Sequence, residues 1–160
     1  MAVEVVLIQK YALLIGSSLY SVSTVLVTLL VSSGIGSRCS RSISEHVAFR
    51  TIAIWILVEA LLFPFVVAAV GGYGLAIRIL VAAVLIFPLG FFMGIPFPKG
   101  TLRVGPLIDW GFAVNGAASV LGSVIVLMIA LSQGFTLALL FAAVMYLLAY
   151  ALYCAKESWA

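Results

Sequence analysis

Long apolar runs, separated by short clusters of Gly, Ser, Pro and basic residues, make up most of the chain. Within each run the apolar positions are continuous rather than alternating, which speaks against barrel strands and predicts helices. Five membrane spans are expected, at about 11–31, 47–70, 75–93, 110–131 and 135–155. At 1.5 Å per residue the first would cover about 31 Å, one hydrocarbon thickness. Residues 3–10 would extend it toward the surface and leave Glu4, Gln9 and Lys10 near one interface. Its hydroxyls, among them Ser17, Ser21, Thr24 and Thr28, suit a helix packed inside a bundle. Gly34 and Gly36 mark its end, and Ser44 is placed to cap the next helix. Arg78 lies one turn inside the third span, where it can snorkel. In FFMGIPFPKG, 91–100, glycines loosen the end of that span and Pro96 and Pro98 stop it.

Composition turns these helices into a membrane reading. The chain has 160 residues, 66% of them hydrophobic and 8% charged, and its mean hydropathy is +1.35. Soluble domains carry roughly 25% charged residues. The expected fold is therefore all-α, a polytopic membrane helix bundle forming a single domain over 1–160 with no soluble domain. The net charge of +3 matters less than its placement. Arg38, Arg41 and Arg50 outnumber Glu45 in the loop 32–50, and Lys99 and Arg103 occupy the loop 95–109. Lys156 falls on the same side, against only Lys10 and Arg78 on the other. The excess predicts cytoplasmic basic loops, an outside N-terminus and a cytoplasmic C-terminus in a multi-pass protein of the cell inner membrane. The opening MAVEVVLIQK does not read as a cleavable signal. An outside N-terminus without a signal suits a chain whose context supplies preceding helices. Basic residues confined between spans give no nucleic-acid surface.

Two intramembrane polar residues are the candidates for chemistry. Glu59 is expensive at mid-bilayer, costing roughly 2.5–3.5 kcal/mol on insertion scales. It would either handle a proton or cation, facing the broken end of the third span, or be held by hydroxyls of the first span. Asn115 sits in a ladder with Gly111, Ser119 and Ser123 at helical spacing, and Gly122 lies close by. Such a face allows close helix approach and interhelical hydrogen bonds; Asn115 could alternatively touch a ligand. Lys99, Arg103 and the loop arginines can meet anionic lipid or a cytosolic domain. His46 reads as an interfacial residue, and Cys39 and Cys154 as free thiols. No metal-ligand spacing, phosphate loop or nucleophile elbow is present, so no cofactor and no catalytic residue are expected.

The strings LIQKYALLIGSSLYSVSTVLVTLLVSSGIGSR, FFMGIPFPKGTLR and WGFAVNGAASVLGSVIVLMIALSQGF resemble the membrane region of bacterial spermidine synthase-like integral membrane proteins. The resemblance implies a membrane module accompanying a cytosolic domain with the aminopropyltransferase or methyltransferase-like fold. That family's catalytic residues lie in the soluble domain, so none transfers to this chain. The expected function is a non-catalytic module or subunit packing against partner helices, from other chains or a second copy. The alternatives are a small-solute transporter component using Glu59, or the membrane half of a split enzyme.

Overall fold

A computed structural model describes the backbone over residues 2–157 and the side chains as far as Cys154. The molecule is helical almost throughout, and no strand occurs among the described residues. In chain order the helices are α1 (Ala2–Ile15), α2 (Ser18–Cys39), α3 (Glu45–Val70), α4 (Leu75–Met93), α5 (Pro96–Val104), α6 (Ile108–Gln133) and α7 (Phe135–Glu157). Four segments are long and apolar enough to cross a membrane: Ser18–Cys39, Glu45–Val70, Leu75–Gln133 and Phe135–Cys154. The third contains both α4 and α6, interrupted by α5 and a short 3-10 turn, Gly105–Leu107. Lys156 and the tail after it lie outside the described side chains.

The expected first span, 11–31, is not one helix. Gly16 takes φ +85 and Ser17 is extended, so α1 ends and α2 starts in a new direction. Glycine at the left-handed position after a helix lets its main-chain N–H close the last turn, here onto the Ala12 carbonyl at 2.9 Å. Helix α1 doubles back on α2, with Ser21 Oγ donating to the Ile8 carbonyl at 2.9 Å. Residues 3–10 therefore do not continue a span toward an interface. Ala2 lies within the bundle, and a Cβ built on Gly122, well inside α6, would meet the Ala2 methyl at 3.8 Å.

This short helix occupies the centre. Val3, Val6, Leu7, Tyr11, Leu14 and Ile15 are all at most 2% exposed, and they join residues of α2, α3, α4, α6 and α7 in one apolar cluster. Arg78 reaches the end of α1. Its guanidinium Nη1 donates to the Leu14 carbonyl at 3.1 Å, satisfying one of the free carbonyls at the end of α1. Its Nε is buried without a hydrogen-bond partner among the described residues. Replacing Gly16 with Ala is expected to cost about 1–2 kcal/mol, the penalty for a left-handed L-residue. The added methyl would meet Arg78 Nη1 only at ordinary contact distance, 3.5 Å, so the cost arises in the backbone. Unfolding in detergent measures it, and an unchanged midpoint would rule out the turn.

The tightest helix contact is between α2 and α4. A Cβ at Gly36 would fall on the Phe91 carbonyl, one at Gly94 on the Ser33 carbonyl, and one at Gly90 on Ser32 Oγ. The hydroxyl of Ser32 is turned onto its own helix, donating to the Thr28 carbonyl at 2.6 Å, which removes a polar group from the contact. Gly34 and Gly36 do not end the helix as their composition suggests; α2 continues to Cys39, and of the two only Gly36 serves helix approach, Gly34 facing open space. Ser44 does cap α3, accepting from Val47 N at 3.4 Å.

Candidate functional site

Three places on this frame carry polar chemistry. In the first, the 3.6-residue period of α1 puts Leu7, Tyr11 and Leu14 on one buried face, and that face meets α3 at Glu59. The Tyr11 hydroxyl lies 2.9 and 3.0 Å from the two carboxylate oxygens. Lys10 donates from Nζ to the main-chain carbonyl of Glu59 at 3.0 Å, and Nζ stands 4.5 Å from the centre of the Phe63 ring. The Tyr11 and Phe63 rings pack edge-on at 5.3 Å. Glu59 and Lys10 are each only 3% exposed. Pro64, inside α3, has no N–H for the Ala60 carbonyl, so the main chain is already weakened one residue from the carbonyl that Lys10 binds.

Glu59 is thus held by a hydroxyl of the first helical segment, though by Tyr11 rather than a Ser or Thr. It does not face the Gly/Pro-broken end of α4, whose glycines pack on α2. The small hollow beside Glu59, between Trp55, Val58, Leu62, Phe63 and Leu85, admits no water-sized sphere. Lys10, placed by its charge near an interface, is instead buried with Glu59. The signal was its neighbour: Tyr11 belongs to the apolar face of α1, and residue 10 is carried inside with it.

The second place is the first half of α6. Gly111, Ser119, Gly122 and Ser123 are half-buried and Asn115 is exposed. Ser123 Oγ turns back to the Val120 carbonyl at 2.8 Å. The Asn115 amide makes no hydrogen bond among the described residues. A Cβ at Gly116 would meet nothing within 4 Å. The helix stands off its neighbours along two hollows that share Tyr146 as a lining residue. One, of about 400 Å³, lies against α5 and is lined by Phe97, Val104, Gly111 and Asn115, among others. The other, of about 330 Å³, lies against α1 and is lined by Ala2, Ala118 and Gly122, among others. The small-residue ladder has the composition of the α2–α4 contact, but it meets this chain more loosely: a Cβ at Gly111 would meet Val104, and one at Gly122 would meet Ala2, each at 3.8 Å, and Asn115 between them is left exposed.

The third place is the basic end of the bundle. Helix α5 lies across the ends of α2, α3 and α6. Lys99 donates to the Ile43 carbonyl. Arg103 pairs with Glu45 at 3.3 Å, donates to the Tyr153 hydroxyl at 2.6 Å and covers the Tyr153 ring. His46 Nδ1 lies 3.2 Å from the Tyr150 hydroxyl and 3.9 Å from Cys154 Sγ. Cys39 and Cys154 are both free thiols. Arg38, Arg41 and Arg50 are exposed and make no ion pair among the described residues. No cluster of metal-ligating side chains occurs among the described residues.

No protein-family profile, curated protein or solved structure matches the chain. The resemblance to the membrane region of spermidine synthase-like proteins therefore stands on the quoted strings alone.

Proposed function

We propose that the chain is a non-catalytic integral membrane module that binds a transmembrane helix of a partner chain across the first half of α6. The carrying observation is Asn115. An amide in hydrocarbon without a hydrogen-bond partner costs several kcal/mol, and this one sits in a ladder of small residues beside an open hollow. A helix approaching over Gly111, Asn115 and Ser119 would satisfy the amide and fill the space, as α4 does against α2. In this reading α2, α3, α4, α6 and α7 each cross the inner membrane of a bacterial cell. Alternating crossings put Arg38, Arg41, Arg50, Lys99, Arg103 and the C-terminus in the cytoplasm. A cytosolic partner domain, as the resemblance implies, would meet that basic end.

A photoreactive phenylalanine analogue at position 118 tests the reading in intact membranes. It is expected to form an adduct with another membrane polypeptide, while the same probe at Val84 on α4 should label lipid. An adduct of twice the chain mass would make the partner a second copy. Asn115→Leu should reduce the protein adduct about tenfold, the equivalent of one lost interhelical hydrogen bond of ~1–2 kcal/mol. Lipid adducts alone at position 118 would sink the proposal.

A further inference from the structure

We propose that the end of α2 and helix α5 form a binding site for the headgroup phosphate of an anionic membrane lipid. Ser37, Arg38, Ser40 and Arg41 line one side of a concavity of about 530 Å³, and Pro98, Thr101 and Leu102 line the other. The basic residues of this end divide into two sets. Lys99 and Arg103 are consumed by Ile43, Glu45 and Tyr153. Arg38 and Arg41 are not: neither guanidinium makes a hydrogen bond or ion pair among the described residues, and both residues line the same hollow. The Ser37 and Ser40 hydroxyls beside them are likewise without hydrogen bonds there.

The chemistry of this set selects a phosphate. Two guanidinium forks, Arg38 in the last turn of α2 and Arg41 in the turn that follows it, present planar donor pairs that match phosphate oxygens, and the hydroxyls add donors between them. The last carbonyls of α2 carry partial negative charge, so the arginines must supply the attraction.

The opposite wall selects a lipid over a soluble anion. Leu102 is 76% exposed at the rim, while Phe97 and Val104, also exposed, line the hollow on the α6 side of α5. Helix α5 thus carries the exposed apolar residues of a helix lying in the interfacial plane. A phosphate held by Arg38 and Arg41 would leave its acyl chains running over Leu102 and down the exposed residues Val31 and Ile35 of α2.

Native mass spectrometry of the full chain in neutral detergent, with phosphatidylglycerol or phosphatidylcholine added, provides the test. Wild type should retain phosphatidylglycerol preferentially. The double variant R38Q/R41Q should weaken that retention at least about tenfold, since each basic side chain at a lipid surface contributes roughly fivefold. R50Q removes the same charge from a residue outside the hollow and should change retention less than threefold. The readout is valid for variants with wild-type helicity and elution; should the double variant misfold, R41Q alone carries the comparison. Equal losses in R50Q and R41Q would make the effect a diffuse surface charge and overturn the site. Binding of inorganic phosphate with no preference for phosphatidylglycerol would overturn the lipid assignment.

Discussion

Gly36→Ala and Gly94→Ala are each expected to destabilise the bundle by about 3 kcal/mol, at the upper end of the cost of overpacking. In both cases the new methyl lands on a main-chain carbonyl of the facing helix, at Phe91 and Ser33 respectively. A carbonyl within a helix cannot rotate away as a side chain can, so α2 and α4 must separate along their whole contact. Separation would also open the cluster formed by Leu29, Ile86 and Leu89. Gly34→Ala provides the control on the same helix, because nothing lies within 4 Å of its Cβ position. It should be neutral or slightly stabilising, by the helix propensity of alanine over glycine. Equilibrium unfolding in mixed micelles distinguishes these results. Equal stability of the Gly36 and Gly34 variants would mean that the two helices do not approach through these glycines.

The second large effect concerns the buried polar cluster. Glu59→Leu should cost about 3 kcal/mol, at the upper end of the cost of leaving a buried polar partner unsatisfied. The substitution strands the Tyr11 hydroxyl and leaves Lys10 only the main-chain carbonyl of residue 59. The triple variant Lys10→Met, Tyr11→Phe, Glu59→Leu should recover most of that loss, because apolar residues of similar volume replace the whole network. Recovery is the informative part: it separates a group that holds α1 against α3 from one whose charge is needed elsewhere. A Glu59→Leu protein as stable as wild type would show that the carboxylate reaches lipid headgroups or water. A triple variant as weak as the single one would show that the cluster is not a closed unit.

Helical fold and membrane character were legible because they depend on summed apolar length, which tolerates local error. The break at Gly16 was not. A glycine followed by Ser-Ser inside an apolar run also fits a hydroxyl-rich helix, and only φ +85 distinguishes the two. Losing that break misplaced Lys10, whose charge pointed to an interface while the period of Leu7, Tyr11 and Leu14 pointed inward. Glu59 was found by its cost alone, but its partner depended on which way α1 turns. Gly36, Gly90 and Gly94 were read as terminators and looseners because a single sequence does not show the facing helix. Their spacing of small residues is the same signal that marked Gly111, Asn115 and Ser119.

The central position of α1 has a consequence for how the protein is made. Helix α1 reaches full burial only in the assembled bundle, where Val3, Val6 and Leu7 are at most 2% exposed. Its buried faces are completed by Val126 and Ala130 of α6 and by Ala138 and Leu139 of α7, all synthesised more than a hundred residues later. Until the α6–α7 hairpin arrives, α1 has no finished seat, and the apolar cluster cannot close. Biogenesis must therefore keep α1 accessible to α6 and α7, and ribosomes stalled before α6 would carry a nascent chain whose α1 is still open to proteolysis.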